Sequence, residues 1–286
     1  MTVFLPLWTK MTIKEALAWA TSILKKSCER PQYEAELLLA YCLKVERVYL
    51  VTHADKEIDI KEYENLIERR SHYEPYEYIV GEASFYDIHL SVEKGVLIPR
   101  PETEILIDLV ADIIKKEQIR HIAEIGVGSG AISIVLARKF PDLECVATDI
   151  SEEAIAVAQL NINKYKLGKR ITLRKSHLLE EVSESVQLVV SNPPYIAEDY
   201  LLEPHIIDYE PKEALIGGEQ GDELLKEIIL DVKARGIRWL ACEMGYDQRE
   251  SLQAFVNEVG VKSIQFYRDL AGLNRGFVIE FDKGEQ

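Results

Sequence analysis

Ala123-Glu124-Ile125-Gly126-Val127-Gly128-Ser129-Gly130 links an apolar stretch, residues 121–125, to a run with helical spacing through Ile132, Val135 and Leu136. Strand, glycine turn and helix in that order form the opening unit of a parallel sheet, and the turn falls at the carboxyl end, where open α/β sheets bind ligands. Glycines remove the Cβ atoms that would keep a ligand off the backbone, and the helix start offers free N–H groups to an anion. A nucleotide-like ligand is the first expectation.

Strand and helix signals go on alternating beyond this turn, with further strands expected at 143–148, 171–174, 186–190 and 237–242. Two late strands, 261–267 and 277–281, leave no room for a helix between them and read as an antiparallel hairpin at the sheet edge. Asp149 ends the second strand, where a carboxylate can accept two hydrogen bonds from ribose hydroxyls. The same aspartate could instead cap the following helix from solvent. Gly126, Gly128 and Ala131 also fit the alanine form of the dinucleotide fingerprint, so the loop alone leaves nicotinamide dinucleotides and S-adenosylmethionine both open.

Ser191-Asn192-Pro193-Pro194-Tyr195 follows the apolar run Gln187-Leu188-Val189-Val190 directly and so faces the same cleft as the glycine loop. Two consecutive prolines fix their own φ angles and restrict the residue before each, so the Pro193 carbonyl is aimed. The Asn192 side-chain oxygen is a second acceptor. Two converging acceptors suit an NH2 group, which donates two hydrogen bonds, and the Tyr195 ring can lie against the flat amide or base carrying it. Standing alone, the tetrapeptide would read as a rigid turn with a packed tyrosine. Placed after strand four, behind a glycine loop and an acid, it reads as a site for a planar amine.

Upstream, residues 12–73 carry helical spacing. Thr12 and Glu15 can form a capping box ahead of Ile13, Leu17, Ala20 and Leu24, and Pro31 opens a second helix with Ala35, Leu38, Leu39 and Cys42 on its apolar face. A small helical bundle is expected. Residues 83–98 alternate through Phe85, Ile88, Leu90, Val92 and Val96, with Glu93-Lys94-Gly95 as a break, which suits two short strands.

The net charge of −15 repels phosphate backbones, so stable nucleic-acid binding is not expected. At 47% hydrophobic and 29% charged the composition is that of an ordinary globular protein. No apolar run approaches the roughly 18 residues of a membrane span, and the opening MTVFLPLWTK lacks a cleavable apolar core, so a cytoplasmic protein is expected. Cys28, Cys42, Cys145 and Cys242 are scattered, and the six histidines form no paired motif, so no metal is expected.

With NPPY behind GxGxG, the chain resembles the amino-methyltransferases, and over nearly its whole length it is similar to the HemK/PrmC family of release-factor glutamine methyltransferases. The resemblance rests further on Pro75-Tyr76-Glu77-Tyr78-Ile79-Val80-Gly81, Leu97-Ile98-Pro99-Arg100-Pro101-Glu102-Thr103-Glu104, Thr148-Asp149-Ile150-Ser151, Tyr209-Glu210-Pro211, Ala214-Leu215, Gly217-Gly218 and Glu243-Met244-Gly245. It implies a Rossmann-like, seven-stranded S-adenosyl-L-methionine-dependent methyltransferase domain of α/β class (101–286). A helical substrate-recognition domain (1–80) and a hairpin linker (81–100) would precede it. It implies methyl transfer to the glutamine of the Gly-Gly-Gln loop of peptide chain release factors, a step that tunes translation termination, and a monomeric enzyme.

By the same resemblance Gly126, Val127, Gly128, Ser129, Gly130 and Asp149 bind the cofactor. Asn192, Pro193, Pro194 and Tyr195 hold the glutamine, with Asn192, Pro193 and Tyr195 at the chemistry and Asn192 also near the cofactor. Arg100, Glu102 and Glu104 build the cleft wall, where Arg100 could pair with either glutamate. The chain departs from the family at Ser176-His177, where an acidic residue is usual near the adenine, so His177 either donates to adenine or caps a turn. Two readings with related chemistry stay open: a ribosomal-protein glutamine methyltransferase, and an N6-adenine or N4-cytosine methyltransferase, the latter opposed by the acidic charge. A catalytically silent adaptor is opposed by the intact Asn192 and Tyr195.

Overall fold

The computed structural model describes residues 10–282; the opening segment MTVFLPLWT and residues 283–286 lie outside them. The chain divides into two compact units, one of residues up to Gly81 with Pro204–Tyr209, the other Glu82–Glu203 with Glu210 onward.

The first unit runs β1 (Lys10–Thr12), α1 (Ile13–Leu24), α2 (Pro31–Leu43), α3 (Arg47–Thr52), β2 (Glu57–Asp59), α4 (Lys61–Ser71) and α5 (Tyr76–Val80). The capping box forms: Thr12 Oγ1 accepts from Glu15 N at 3.3 Å while the Glu15 carboxylate accepts from Thr12 N at 2.9 Å, which satisfies two orphan donors of α1. Ile13, Ala16, Ala20 and Leu24 pack with Leu38, Leu39, Tyr63 and Ile67 into one core. Ala16, rather than the expected Leu17, is fully buried; Leu17 lies at the margin of that core. The antiparallel pair of β1 and β2 is not foreseen from the sequence, because three residues are too few for a period of two to register.

The second unit opens with the antiparallel strands β3 (Glu82–Phe85) and β4 (Ile88–Ser91). Their turn is Tyr86-Asp87, not the expected Glu93-Lys94-Gly95, which follows both strands. Tyr86 takes a left-handed φ of 56°, held by Glu104, which accepts from its N–H at 2.8 Å, and by Asp108, which accepts from its hydroxyl at 2.7 Å. Both partners come from α6 (Thr103–Glu117), so the turn is set by packing that the local sequence does not display.

The chain continues through β5 (His121–Ile125), α7 (Ala131–Lys139), β6 (Glu144–Asp149), α8 (Glu152–Lys164), β7 (Ile171–Lys175) and β8 (Leu188–Ser191). Then come β9 (Ile196–Ala197), α9 (Pro204–Ile207) of the first unit, β10 (Ile216–Gly218), α10 (Glu223–Ala234), β11 (Trp239–Glu243), α11 (Arg249–Val259), β12 (Ser263–Arg268) and β13 (Asn274–Glu280). Seven strands form one sheet in the order β12-β13-β11-β8-β5-β6-β7. From β11 to β7 neighbouring strands run parallel, while β13 runs antiparallel to β11 and to β12, which gives the edge hairpin expected from the late strands.

Alternation along the central strands sorts their side chains between two cores. Ile122, Cys145, Ala147, Leu188, Val190 and Ala241 pack with α6, α7 and α8. Ala123, Ile125, Val146, Val189, Leu240 and Cys242 pack with α10 and α11. Strands buried on both faces read as nearly continuous apolar runs, as Leu188-Val189-Val190 does. The same alternation aims the polar side chains that follow: Glu124 and Glu243 fall on the α6–α8 face.

Candidate active site

A cavity of about 670 Å³ opens at the carboxyl ends of the parallel strands, a size usual for small-molecule sites, roughly 300–1,000 Å³. Its walls take Gly126, Val127, Gly128 and Ser129 from the turn after β5, Asp149 from the end of β6, and Ser176, His177 and Leu178 after β7. Asn192, Pro193 and Pro194 after β8, Arg100 ahead of α6 and Thr103 at its start also line the cavity. Gly130, Glu102 and Tyr195 stand outside this lining.

Gly126 and Gly128 have φ of +75° and +51°, a region in which a side chain would be strained. The N–H groups of Gly126 and Val127 both donate to Thr148 O at 2.9 Å, which folds the turn back onto β6. Asp149 accepts from Gly128 N through Oδ2 and from Ser151 N through Oδ1, each at 3.0 Å. Burial raises its pKa, and these backbone donors oppose the rise. Gly130 serves packing rather than the cavity: it precedes α7 with φ +85°, and a Cβ there would meet Ile134 Cδ1 at 3.1 Å.

Beneath the loop, Glu124 is buried and accepts from Ser133 N at 3.0 Å and from the Ser133 hydroxyl. Burial pushes this carboxyl up to about 8.

The Asn192 side chain has a fixed sense. Its Nδ2 donates to Thr103 Oγ1 at 3.1 Å, so its Oδ1 is left to accept. Behind Thr103 lies Glu243, 1% exposed, whose Oε1 has no hydrogen-bond partner among the described residues. Burial pushes this carboxyl up to about 7, opposed by nearby Thr103 and by the Arg275 charge.

Backbone packing fixes the tetrapeptide after β8. The Tyr195 carbonyl accepts from Gln248 Nε2 at 2.7 Å, and Gln248 Oε1 in turn accepts from Gly245 N at 2.8 Å. A Cβ at Gly217 would overlap Pro194 O and Gly221 O, so only glycine lets β10 approach this closely. The Tyr195 ring packs into the α10–α11 core, and nearby Asp269 holds Arg275 at 2.7 Å. Burial raises the phenol pKa.

Arg100 pairs with Glu210, not with either expected glutamate, and Glu210 also accepts from Ile98 N at 3.3 Å. Glu104 instead caps Tyr86. At Ser176-His177 the turn is capped by the serine, whose Oγ accepts from Glu181 N at 3.1 Å. His177 lines the cavity with its ring 3.7 Å from Glu180 and 3.8 Å from Glu227. Thr103, Glu243, Gln248 and Arg275 carry no role in the sequence reading. Thr103 and Glu243 do occur in the quoted motifs, which is the one signal that could have found them.

A cavity at the carboxyl ends of this sheet, between a glycine turn, a strand-end acid and Asn-Pro-Pro, defines a Rossmann-like α/β methyltransferase. The fold is shared with the human Mettl16 catalytic domain solved with a MAT2A 3'UTR hairpin: TM-score 0.56 at 20% identity, covering 69% of this chain and 77% of that one. Residues 15–81 match the PrmC N-terminal domain, and residues 102–207 match the methyltransferase small domain. The release factor glutamine methyltransferase of Clostridium acetobutylicum is 36% identical over 278 residues, 93% of this chain and 97% of that protein. That of Dictyoglomus turgidum is 38% identical over 273 residues, 92% and 96%. The chain belongs to the release factor glutamine methyltransferase family.

Proposed function

We propose that this protein transfers a methyl group from S-adenosyl-L-methionine to the side-chain amide nitrogen of the glutamine in the Gly-Gly-Gln loop of peptide chain release factors. Membership of the family supports the substrate class. The observation that carries the reading is Asn192 on the wall of the glycine-turn cavity, with its Nδ2 committed to Thr103 and its Oδ1 left as an acceptor.

The residues present fit the cofactor. Asp149 offers carboxylate lone pairs at the end of β6, and Gly126 and Gly128 keep that wall free of side chains. Ala131 and Ile132, in the first turn of α7, have N–H groups without an intrahelical acceptor, a place suited to a carboxylate. The cofactor supplies an electrophilic methyl on a sulfonium. His177 stands on the wall expected to face the adenine.

An amide nitrogen is a poor nucleophile because its lone pair is delocalised, so the protein must hold it in line and offset the positive charge that grows as it pyramidalises. Asn192 Oδ1 and the Pro193 carbonyl accept its two N–H groups, and both contacts strengthen as that charge develops. Positioning of this kind can remove about 7–11 kcal/mol of a barrier. The acceptor pair also rejects glutamate, which would set oxygen against oxygen, by about 10⁴ or more. Tyr195 contributes through the packed backbone that carries Pro193 and Pro194. The enzyme acts in the cytoplasm as a monomer; among the described residues no helix is long and apolar enough to cross a membrane.

The test is incubation with labelled S-adenosylmethionine and a release factor, beside its Gln→Glu loop variant, with the added methyl located by mass spectrometry. Label on the loop glutamine of the first and none on the second is expected. No label on either, with cofactor binding intact, would overturn the substrate assignment.

A further inference from the structure

Glu243, the last residue of β11, pairs with Gly276 of β13, and Arg268, the last of β12, pairs with Asn274. The turn between β12 and β13 therefore projects past the same end of the sheet that carries Asn192. Residues 244–248, which follow β11, adjoin that turn. Asn274 Nδ2 donates to Tyr246 O at 3.3 Å, and Met244 N donates to Arg275 O at 2.9 Å.

These two loops hold three large apolar side chains in solvent: Leu270 is fully exposed, Tyr246 50% and Leu273 46%. The turn that carries the leucines is closed on itself. Asp269 accepts from Leu273 N at 2.9 Å and from Arg275 Nη2 at 2.7 Å, while Asp269 N donates to Leu273 O at 2.9 Å and Gly272 N to Asp269 O at 3.0 Å. A preorganised loop loses little freedom when a partner covers it, which favours affinity. Apolar residues exposed singly need no explanation, and Leu160 on α8 and Leu230 on α10 are of that kind. Three on adjoining loops beside a substrate cleft form a patch.

We propose that Tyr246, Leu270 and Leu273 form a docking rim for the protein substrate, receiving apolar side chains of the release factor a few residues from its Gly-Gly-Gln loop. The inference rests on the reading of the chain as a methyltransferase of that loop. Two glycines and a glutamine bring little apolar surface of their own, so the energy that holds a whole release factor comes from contacts outside the cleft. The rim is continuous with the cleft. Gln248, in the same loop as Tyr246, donates through Nε2 to Tyr195 O at 2.7 Å, so one hydrogen-bonded segment joins the rim to the tetrapeptide. β13 stands two strands from β8, which Asn192 follows. Two strand spacings are about 10 Å, a distance that an extended chain leaving the cleft crosses in about three residues. The net charge of −15 opposes two other occupants of an apolar surface, a second copy of this chain and an anionic membrane.

The experiment compares wild type, the Tyr246→Ala/Leu270→Ser/Leu273→Ser triple variant, Leu270→Ser alone, and Leu160→Ser and Leu230→Ser as controls. For each, kcat and KM toward a release factor are measured at saturating S-adenosylmethionine. Calorimetry gives the affinity for S-adenosylhomocysteine and, with that product bound, for the release factor; sedimentation gives the mass in solution. The triple variant is expected to raise KM and weaken release-factor binding about tenfold or more, with kcat and S-adenosylhomocysteine affinity within about twofold of wild type. Leu270→Ser alone should show about a threefold part of that loss, and the two controls should match wild type. All the substitutions are on exposed side chains and should leave the melting temperature near that of wild type. Should the triple variant not fold, Leu270→Ser decides alone.

Unchanged KM and release-factor affinity in the triple variant would overturn the docking rim, as would an equal rise in KM in either control. A fall in kcat at unchanged KM would also overturn it, by showing that the rim acts on the tetrapeptide through Gln248. So would a wild type that sediments as a dimer beside a triple variant that sediments as a monomer, since the surface would then belong to a second copy. If wild type binds the release factor without methylating it, the proposed function falls, and the binding measurements still decide the rim. If wild type does not bind the release factor, both fall.

Discussion

The Asp149 carboxylate accepts the Gly128 N–H at 3.0 Å, which ties the end of the second parallel strand to the glycine turn after the first. Its other oxygen holds Ser151 at the start of α8. Replacing Asp149 by Ala removes both ties along with the proposed ribose contact. A hydrogen bond to a charged group contributes about 1.5–3 kcal/mol. Binding of S-adenosylhomocysteine should weaken by roughly tenfold to a hundredfold in calorimetry, with a smaller change in kcat at saturating cofactor. Unchanged affinity would exclude Asp149 from the cofactor site.

Gly217 touches the tetrapeptide's backbone, and a Cβ there would come 2.9 Å from Tyr195 Cα besides overlapping two carbonyls. The neighbours are main chain and cannot swing aside. Gly217→Ala should displace Pro193 and Pro194 by a strain of about 1–3 kcal/mol, lowering kcat about tenfold or more. Steady-state kinetics should find this loss while S-adenosylhomocysteine affinity stays near wild type, because the glycine turn after β5 is untouched. Equal loss of both would mean general collapse of the cavity.

Glu124 titrates at about 8 in the folded protein against 4.5 for a free carboxyl. Because the folded state holds the proton more tightly, this contribution to stability is complete below the free value and is lost as pH rises through about 8. Gln imitates the protonated acid and can still accept from Ser133 N. The melting temperature of Glu124→Gln, measured against wild type from acid to alkaline pH, should therefore gain progressively as pH rises. A difference that stays constant with pH would show that Glu124 does not bind a proton in this range.

The Glu210 side chain is only 1% exposed, and with Arg100, 33% exposed, it forms a partly buried ion pair. Arg100→Met would strand that carboxylate. Removing one partner of a buried pair destabilises by about 3–5 kcal/mol, and the partial exposure of Arg100 argues for the lower end. For a domain of this size that is on the order of 6–12 °C in melting temperature. Adding Glu210→Gln should restore part of the loss. If scanning calorimetry finds Arg100→Met as stable as wild type, the pair has no structural role.

The sequence displays the sheet well because each strand and turn is specified by its own residues. The glycine turn, the apolar runs and the helix-free late hairpin predict the strands to within a few residues. The hairpin turn at Tyr86-Asp87 escaped because its cause, Glu104 and Asp108, sits on a helix that follows it. In the candidate site, Gly126, Gly128, Asp149 and Asn192 are legible as members of one cleft, since all stand at carboxyl ends of strands in one parallel sheet. Tyr195 is not placed against the cavity, because the turn that aims the two prolines directs its ring into the α10–α11 core.

Local chemistry thus determined the α/β class, the place of the ligand cleft and the acceptor at Asn192, all consequences of backbone preference and periodicity over a few residues. Tertiary structure alone decided what those residues are bound to. Arg100 finds Glu210 across 110 positions, and Asn192 finds Thr103 across 89. Such pairings depend on which faces pack together and on burial that forces each polar group to find a partner, and neither is written in the spacing of residues along the chain.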